Sequence, residues 1–363
     1  MAQRRLRGVS AIMCALALAL AACGDDAADA ADEESEVDEE PEAPAGDAEE
    51  PESNPDEVVT VRVASDAAPE NPVHTCGVDV LAEELEGLFE FELFPDAQLG
   101  WAAEVLELVQ TGEMEATMVG PGQLQAFYEP MGIFSAIYVI DDHEHFLRVW
   151  DSEVGDDLRQ GLAEEAGLAA PLTVWWGTRQ LTANKEIRHP DDMDGVLLRV
   201  APGSDVAFAN GEAMGAEPTT MGFGELYLGL QQGVADAQEN PLPAINDASF
   251  HEVQDFLILT GHEPSPQFFT VNNEWWEALS DEHREAFQDA AEIARESAFE
   301  CTLEAEAELL NQWREDGVWQ GGIIDDVDTA AFRDHATPAL REKYDDVWGP
   351  MNLYERIREL SEE

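Results

Sequence analysis

Short runs of alternating apolar residues are separated, from Val58 onward, by segments whose apolar residues recur with a helical period. Alternation is typical of strands, and the longer period is typical of amphipathic helices. Strand, helix and strand in this succession predict βαβ units and a largely parallel sheet. The strand-like runs are VVTVRVASD, FEFELFP and ATMVG, and the helix-like segments between them are GVDVLAEELEGL and AEVLELVQTGEMEA.

Polar residues and glycines gather at the ends of these three predicted strands. In sheets built from βαβ units, ligands bind at the carboxyl ends of the strands. We therefore expect a ligand site where three loops meet: ASDAAPEN (64–71), PDAQLG (95–100) and GPGQ (120–123).

A second α/β unit follows the first. LTVWWGTRQLTAN and GVLLRVA have strand character, and FGELYLGLQQGVADAQENP (223–241) is predicted as a helix that runs into a loop. A long helical segment begins near Trp275, with Ser280 as a good N-cap residue. Two α/β units and a long spanning helix predict two lobes with a cleft between them.

The N-terminus has the features of an export signal. Arg4, Arg5 and Arg7 precede an apolar stretch, VSAIMCALALAL, that is too short to span a membrane comfortably. The sequence LAAC then ends at Cys23, followed by Gly24, and it resembles the lipobox of bacterial lipoproteins. We expect residues 1–23 to be a lipoprotein signal peptide and Cys23 to carry lipid; an ordinary signal peptide is the alternative.

Negative charge dominates the rest of the chain. Residues 25–57 contain 17 acidic residues and no basic ones, so residues 24–57 are predicted to be a disordered, self-repelling tether. The whole chain carries a formal charge of −61. Such a chain repels nucleic acid, so DNA or RNA is excluded as a partner.

Two cysteines, Cys76 and Cys301, remain after the signal peptide and Cys23 are set aside. Outside the cytoplasm thiols can oxidise, so a disulfide between them is one expectation. Two buried free thiols are the other, and the sequence does not decide between them.

One arginine lies inside an apolar run in a chain with few cations. Arg199 is flanked by Leu198 and Val200 and is predicted to lie in or at the end of a strand. A guanidinium stays protonated, and burying it unpaired is costly. Arg199 therefore needs an anion, which is either an internal carboxylate or a bound ligand.

Motifs of catalysis are absent from the sequence. It has no GxSxG elbow, no P-loop and no dinucleotide-binding glycine motif, so we expect neither an enzyme nor a bound cofactor. His143 and His145 lie among carboxylates in DDHEHF, but two histidines at a solvated helix start are a weak sign of metal. No metal site is expected.

The second unit carries a long ordered pattern. WGTRQLTAN, DDMDGVLLRVAPGSD, MGAEPTTMGFGELYLGLQQGVADAQENP and FHEVQDFLILTGH occur in this order. In these segments the chain resembles the extracytoplasmic solute-binding subunits of TRAP transporters, of the dicarboxylate- and sialic-acid-binding type, over about residues 58–349. The resemblance implies binding rather than catalysis, with delivery of the ligand to two integral-membrane permease subunits that use a sodium gradient.

The resemblance also implies a two-lobed periplasmic-binding-protein-like α/β fold. It has mixed β-sheets flanked by helices, a ligand cleft between the lobes, and a long bracing helix near the C-terminus. We expect lobe I to comprise residues 58–176 and 265–304, and lobe II residues 177–264 and 305–363. The protein is expected outside the cytoplasm, at the cell surface or in the periplasm, anchored by lipid on Cys23.

Ligand-binding residues follow from the same resemblance. Arg199 matches the arginine that forms a two-pronged salt bridge with the ligand carboxylate, and Arg179 matches a second arginine facing that carboxylate. Asn240 matches a hydrogen-bonding asparagine, and Phe223 matches an aromatic residue packed on the ligand, with core packing as its alternative. Asp66 lies where some members have a polar ligand contact.

The chain departs from the sialic-acid binders at two positions. Their acidic residues align with Ala102 and Gly120, and Trp101 and Trp176 add aromatic surface. These changes favour an acid with a compact or apolar body over sialic acid, although both tryptophans could instead pack between lobes. Two other functions stay open: a sensor that signals ligand to a membrane kinase, and an enzyme acting on a carboxylic acid.

Overall fold

The strands of the protein join in one mixed sheet. The computed structural model describes residues 57–361, so Cys23 and the tether through residue 56 lie outside the described residues. The strands of the described part are β1 (Val59–Ala64), β2 (Phe89–Phe94), β3 (Ala116–Val119), β4 (Leu168–Ala183), β5 (Leu197–Val200), β6 (Glu217–Thr220), β7 (Ala237–Pro241), β8 (Phe256–Asn272) and β9 (Gly322–Ile324).

Helices flank this sheet. They are α1 (Asp79–Glu84), α2 (Ala102–Gln110), α3 (Pro121–Leu124), α4 (His143–Trp150), α5 (Glu153–Ala166), α6 (Asp205–Ala213), α7 (Phe223–Gln231), α8 (Leu242–Asp247), α9 (Asn273–Glu277), α10 (Asp281–Asp316), α11 (Thr329–Lys343), α12 (Asp345–Trp348) and α13 (Leu353–Glu359). No helix among residues 57–361 is both long enough and apolar enough to cross a membrane.

The sheet has the order β2-β1-β3-β8-β4-β7-β5-β6, with β9 added beside β8. Its two ends are parallel, as the βαβ pattern predicts: β1 pairs with β2 and β3, and β5 pairs with β6 and β7. The middle is antiparallel, where β8 lies between β3 and β4 and β4 also pairs with β7. The expectation of a largely parallel sheet is therefore wrong for the centre, because long returning strands form it.

Two long strands run through the centre of the sheet. β4 has 16 residues and β8 has 17, and they pair along most of their length. The register shifts between Trp175 and Thr178, where Gly177 has φ of +123°. Only glycine adopts this backbone region without strain, so Gly177 allows β4 to bend there.

The region from residue 223 to residue 241 differs from its prediction. Helix α7 ends at Gln231, and the segment expected to be a loop is strand β7, which is buried throughout. Its residues Gln238, Glu239 and Asn240 are polar, so the apolar pattern of the sequence did not predict this strand.

The long helix α10 has 36 residues, which corresponds to about 54 Å. Ser280 caps it as predicted, since its side chain accepts a hydrogen bond from the backbone N–H of His283. Trp275 belongs to the separate short helix α9. Apolar residues of α10, including Phe287 and Ala294, are buried in the same core cluster as residues of β1, β4 and β8.

Cys76 and Cys301 form a disulfide. Cys76 lies in a π-helical turn (Val73–Val78) that precedes α1, and Cys301 lies on α10. The bond joins residues 225 positions apart, and so it fixes the long helix to the segment that follows β1.

Candidate functional site

A cavity of about 540 Å³ lies at the strand ends. The three loops expected to meet there do so, since the cavity lining includes Asp66, Asn71, Asp96 and residues 120–123. Strands β4, β5, β7 and β8, helices α2, α6, α7 and α8, and residues 201–204 also contribute to its wall. The three loops predicted to form a ligand site therefore border one cavity.

Arg199 lies on β5 and faces this cavity while only 2% exposed. Its Nε donates a 2.8 Å hydrogen bond to the backbone carbonyl of Met221. Its two terminal nitrogens form no hydrogen bond to any residue between 57 and 361, and no carboxylate of that range lies within 4.0 Å. Burial lowers the pKa of Arg199 to about 10, so the group keeps its charge at neutral pH.

Arg179 also lines the cavity, but an internal carboxylate holds it. Its Nε donates to the carboxylate of Glu239 on β7, and its Nη2 donates to the other carboxylate oxygen at 2.9 Å. Nη2 also reaches the Asn240 side-chain oxygen at 3.1 Å. The two arginines thus differ: the charge of Arg179 is already paired, and that of Arg199 is not.

Asn240 and Phe223 both line the cavity. Asn240 is buried, and its amide nitrogen donates to Gln238 at 2.6 Å while its oxygen accepts from Arg179. Phe223, the first residue of α7, packs on Phe250 with ring centroids 5.8 Å apart. The Arg199 guanidinium carbon lies 6.0 Å from the Phe223 ring centroid. Phe223 therefore packs on Phe250 and also lines the cavity.

Asp66, Trp101 and Trp176 are also part of the cavity wall. Asp66 is half-buried, and burial raises its pKa to about 6. Trp101 precedes α2 and is 40% exposed, whereas Trp176 is partly buried and its indole nitrogen has no hydrogen-bond partner in the described chain. Ala102 and Gly120, which align with the acidic residues of sialic-acid binders, line the same cavity.

A buried cluster of ionisable groups lies behind the two arginines. Glu239, His262 and Glu263 offer ligand atoms within 4.8 Å of one another. Burial would raise the pKa of Glu239, but Arg179 and His262 outweigh it and hold that pKa well below its usual range. Burial raises the pKa of Glu263 well above its usual range. Both oxygens of Glu239 accept from Arg179, so a metal ion there would have to displace the guanidinium.

His143 and His145 lie apart from the cavity. His145 is fully buried, and its two ring nitrogens contact the Asp141 backbone N–H at 3.1 Å and the Ile357 carbonyl at 2.9 Å. The His143 ring packs against Trp175 and Phe299. Both rings therefore contact other residues of the protein rather than the cavity.

Sequence reasoning missed much of the polar wall. Polar residues outside the segments matched by the resemblance also line the cavity. One signal was available: residues 263, 265 and 267 of β8 are spaced two apart, and this spacing puts side chains on one face of a strand. The lining residues that lie outside the predicted loops and matched segments include Asp247, Glu263, Ser265 and Gln267.

The cavity at the strand ends and its buried Arg199, whose terminal nitrogens have no hydrogen-bond partner among residues 57–361, fit a protein that binds an anionic solute. Residues 69–346 match the family described as DctP, bacterial extracellular solute-binding protein, family 7. The chain belongs to this family, the solute-binding proteins of TRAP transporters.

The matches to curated relatives cover most of each relative's length. The sialic acid-binding periplasmic protein SiaP of Vibrio cholerae is 29% identical over 75% of this chain and 84% of its own. The 2,3-diketo-L-gulonate-binding periplasmic protein YiaO of Escherichia coli is 30% identical over 73% of this chain and 80% of its own.

Solved structures confirm the fold class. A TRAP periplasmic solute-binding protein from Roseobacter denitrificans with bound 3-deoxy-D-manno-oct-2-ulosonic acid has a TM-score of 0.78 and 29% identity, covering 84% of this chain and all of that one. A protein of the same type from Desulfovibrio salexigens with bound orotic acid has a TM-score of 0.75 and 27% identity, covering 83% and 98%. The α/β fold with a mixed sheet flanked by helices is thus the fold that the resemblance implied.

Proposed function

We propose that the protein captures an organic acid by its carboxylate and delivers it to the membrane subunits of a TRAP transporter. The observation that carries the proposal is Arg199, whose buried guanidinium faces the cavity with two terminal nitrogens unoccupied. A guanidinium fork matches the two oxygens of a carboxylate, and a buried cation gains most from such a partner. The anion that Arg199 needs is then the ligand.

The other lining residues take supporting roles. Arg179 and Asn240 form a preassembled wall beside the carboxylate site, because Glu239 and Gln238 already fix their side chains. Phe223, Trp101 and Trp176 offer apolar faces to the body of the ligand. Lobe I (58–176 and 265–304) and lobe II (177–264 and 305–363) close on the ligand, and binding shifts the population toward the closed state.

The acids bound by relatives support a carboxylate ligand. Their names and structures include sialic acid, 2,3-diketo-L-gulonate, 3-deoxy-D-manno-oct-2-ulosonic acid, L-galactonate and orotic acid. Each has one carboxylate and a body of different shape. This fits an arginine that recognises the shared group and a cavity wall that selects the body.

We extend the proposal to the location of the protein, which works outside the cytoplasm and is held to the membrane by lipid on Cys23. Labelled fatty acid should enter the wild type and not the Cys23→Ser variant. Absence of label from the wild type would leave an ordinary secreted protein.

The experiment for ligand capture is a thermal-shift screen of the purified protein against these acids and C4-dicarboxylates. A ligand at 100 times its Kd adds about 2.7 kcal/mol to stability, which is a visible shift. Arg199→Ala should abolish the response, whereas Arg295→Ala, which removes a surface pair with Asp151, should keep it. An acid that stabilises wild type and Arg199→Ala equally would show that Arg199 does not bind the carboxylate.

A further inference from the structure

The cavity wall is far more acidic than a site for anions alone requires. Two guanidinium groups line it, those of Arg179 and Arg199, and no lysine or histidine joins them among the described residues. Against these stand six carboxyl groups: Asp66, Asp96, Glu104, Glu239, Asp247 and Glu263.

The surroundings of three of these carboxyl groups explain why they can lie in the wall without a bound cation. Glu239 is paired with Arg179. Glu104 accepts the Trp101 backbone N–H at 3.1 Å and so caps helix α2. Burial raises the pKa of Glu263 well above its usual range, so this group is mainly uncharged at neutral pH.

The other three, Asp66, Asp96 and Asp247, have no cation within 4.0 Å among residues 57–361. They lie around one loop. Asp66 belongs to it, the Asp96 backbone N–H donates to the Ala67 carbonyl at 3.0 Å, and Asp247 lines the cavity together with Asn71 of the same loop.

This arrangement gives the cavity two different charged regions. One is Arg199 on β5, which is a cation without an anion. The other is the Asp66, Asp96 and Asp247 group, which consists of anions without a cation. Such groups stabilise a ligand of opposite charge and repel one of the same charge.

We propose that the ligand is a zwitterion, with a carboxylate that binds Arg199 and a cationic nitrogen that binds Asp66 and its neighbours Asp96 and Asp247. This inference rests on the proposed carboxylate capture. A dicarboxylate would place its second negative charge among three unpaired carboxylates, so the wall selects against it.

Two further observations agree with a cationic nitrogen. Burial raises the pKa of Asp66 to about 6, and a bound cation would offset the cost of keeping this carboxylate charged. Trp101 and Trp176 also line the cavity, and tryptophan faces attract desolvated cations.

The test compares ligands that differ only in charge at one end. The matched pairs are lactate with alanine, 4-hydroxybutyrate with 4-aminobutyrate, and 6-hydroxyhexanoate with 6-aminohexanoate, with glycine betaine and succinate added. Binding to the wild type is measured by thermal shift and then by calorimetry. The variants are Asp66→Asn, Arg199→Met and, as a matched control, Asp289→Asn, which alters an exposed aspartate of α10.

We expect at least one amino member to bind and its hydroxy partner and succinate not to bind. Asp66→Asn should weaken the binding at least tenfold, Arg199→Met should abolish it, and Asp289→Asn should leave it unchanged. If hydroxy acids or succinate bind as well as the amino members, and Arg199→Met abolishes this, the zwitterion inference is wrong and carboxylate capture stands. Equal binding of an amino member to Asp66→Asn and wild type also overturns it. If no compound in the set and none of the acids above binds, both proposals fail.

Discussion

The guanidinium of Arg179 on β4 is held by the carboxylate of Glu239 on the neighbouring strand β7, through both oxygens. This pair uses the charge of one cavity arginine inside the protein. Arg199, on the next strand β5, keeps its charge for the cavity because no described carboxylate reaches it. If the protein captures a carboxylate as proposed, recognition should depend on Arg199 rather than on two equivalent arginines.

Replacing Arg199 by methionine should separate binding from stability. Ligand affinity should fall roughly ten- to hundredfold or more, because charge-assisted hydrogen bonds contribute about 1.5–3 kcal/mol. The ligand-free variant should unfold at the same or a higher urea concentration than wild type, since burying an unpaired charge is costly. Arg199→Lys is the companion variant, and it should bind weakly because an ammonium lacks the fork geometry. Loss of ligand-free stability in Arg199→Met would show instead that the arginine supports the fold.

Glu239→Gln should destabilise the protein strongly. It leaves the buried Arg179 without its counter-charge, and breaking a buried pair on one side costs about 3–5 kcal/mol. Glu186→Gln is a matched control, since it breaks a partly exposed pair with Arg188 and should cost under about 1 kcal/mol. Urea denaturation of both variants measures the difference. Equal costs would mean that the buried pair adds no more than a surface pair.

Deprotonation of Glu306 should lower the free energy of unfolding as the pH rises from about 4.5 to about 7. Burial raises the pKa of Glu306 on α10 to about 7, while its carboxylate accepts the Thr178 backbone N–H at 2.9 Å. A raised folded-state pKa favours the protonated form, so its stabilisation is complete below the unfolded pKa and is lost as pH rises through the folded pKa. Glu306→Gln should match wild type at pH 5 and be more stable at pH 8. Glu308→Gln, on the same helix and exposed, should show no such gain.

Gly122→Ala should weaken ligand binding without touching the charged groups. A methyl group at Gly122 would lie 2.6 Å from the Ser204 Oγ, and both residues line the cavity. Overpacking of this kind costs about 1–3 kcal/mol, and here it opposes the approach of α3 to the start of α6. Ser204→Gly in the same chain should restore most of the affinity, because glycine is a tolerable N-cap residue. If calorimetry shows no such rescue, the loss of affinity does not arise from crowding between residue 122 and Ser204.

Reduction of the Cys76–Cys301 disulfide should lower the unfolding free energy. The bond closes a loop of 225 residues, for which the chain-entropy model gives about 5 kcal/mol. Wild type should melt at a lower temperature in dithiothreitol, and the Cys76→Ser, Cys301→Ser double variant should melt at one temperature with or without it. An unchanged wild-type melting temperature in dithiothreitol would contradict the expected contribution.

Sequence patterns predicted strands β1 to β5, including the central strand β4, and missed strands β6 to β9. β1, β2, β3 and β5 alternate or are short and apolar, so period and turn residues identify them. β8 contains Gly261, Pro264 and Pro266, which usually interrupt strands, and β7 is built from polar residues. Both strands are stabilised by their neighbours, which no local pattern reveals.

The residues of the candidate site also differ in how far the sequence could predict them. Arg199 could be found because a lone cation in an apolar run is conspicuous. The pairing of Arg179 with Glu239 depends on the register of β4 and β7, in which Leu181 lies opposite Glu239, and a register is not written in either segment alone. Of the three aspartates without a cation, Asp66 and Asp96 lie in loops that were predicted to meet, whereas Asp247 was missed because it reaches the cavity from the end of α8, far along the chain from Asp66.

The place of β8 in the sheet has a consequence for how the chain is made. Without β8, the strands form two separate groups, β2-β1-β3 and β4-β7-β5-β6, and Phe256–Asn272 is the segment that unites them. During synthesis from the N-terminus, the first group therefore stays an open-edged fragment until more than two thirds of the chain has emerged. Because assembly of the sheet depends on so distant a segment, we expect folding of the whole sheet to be slow.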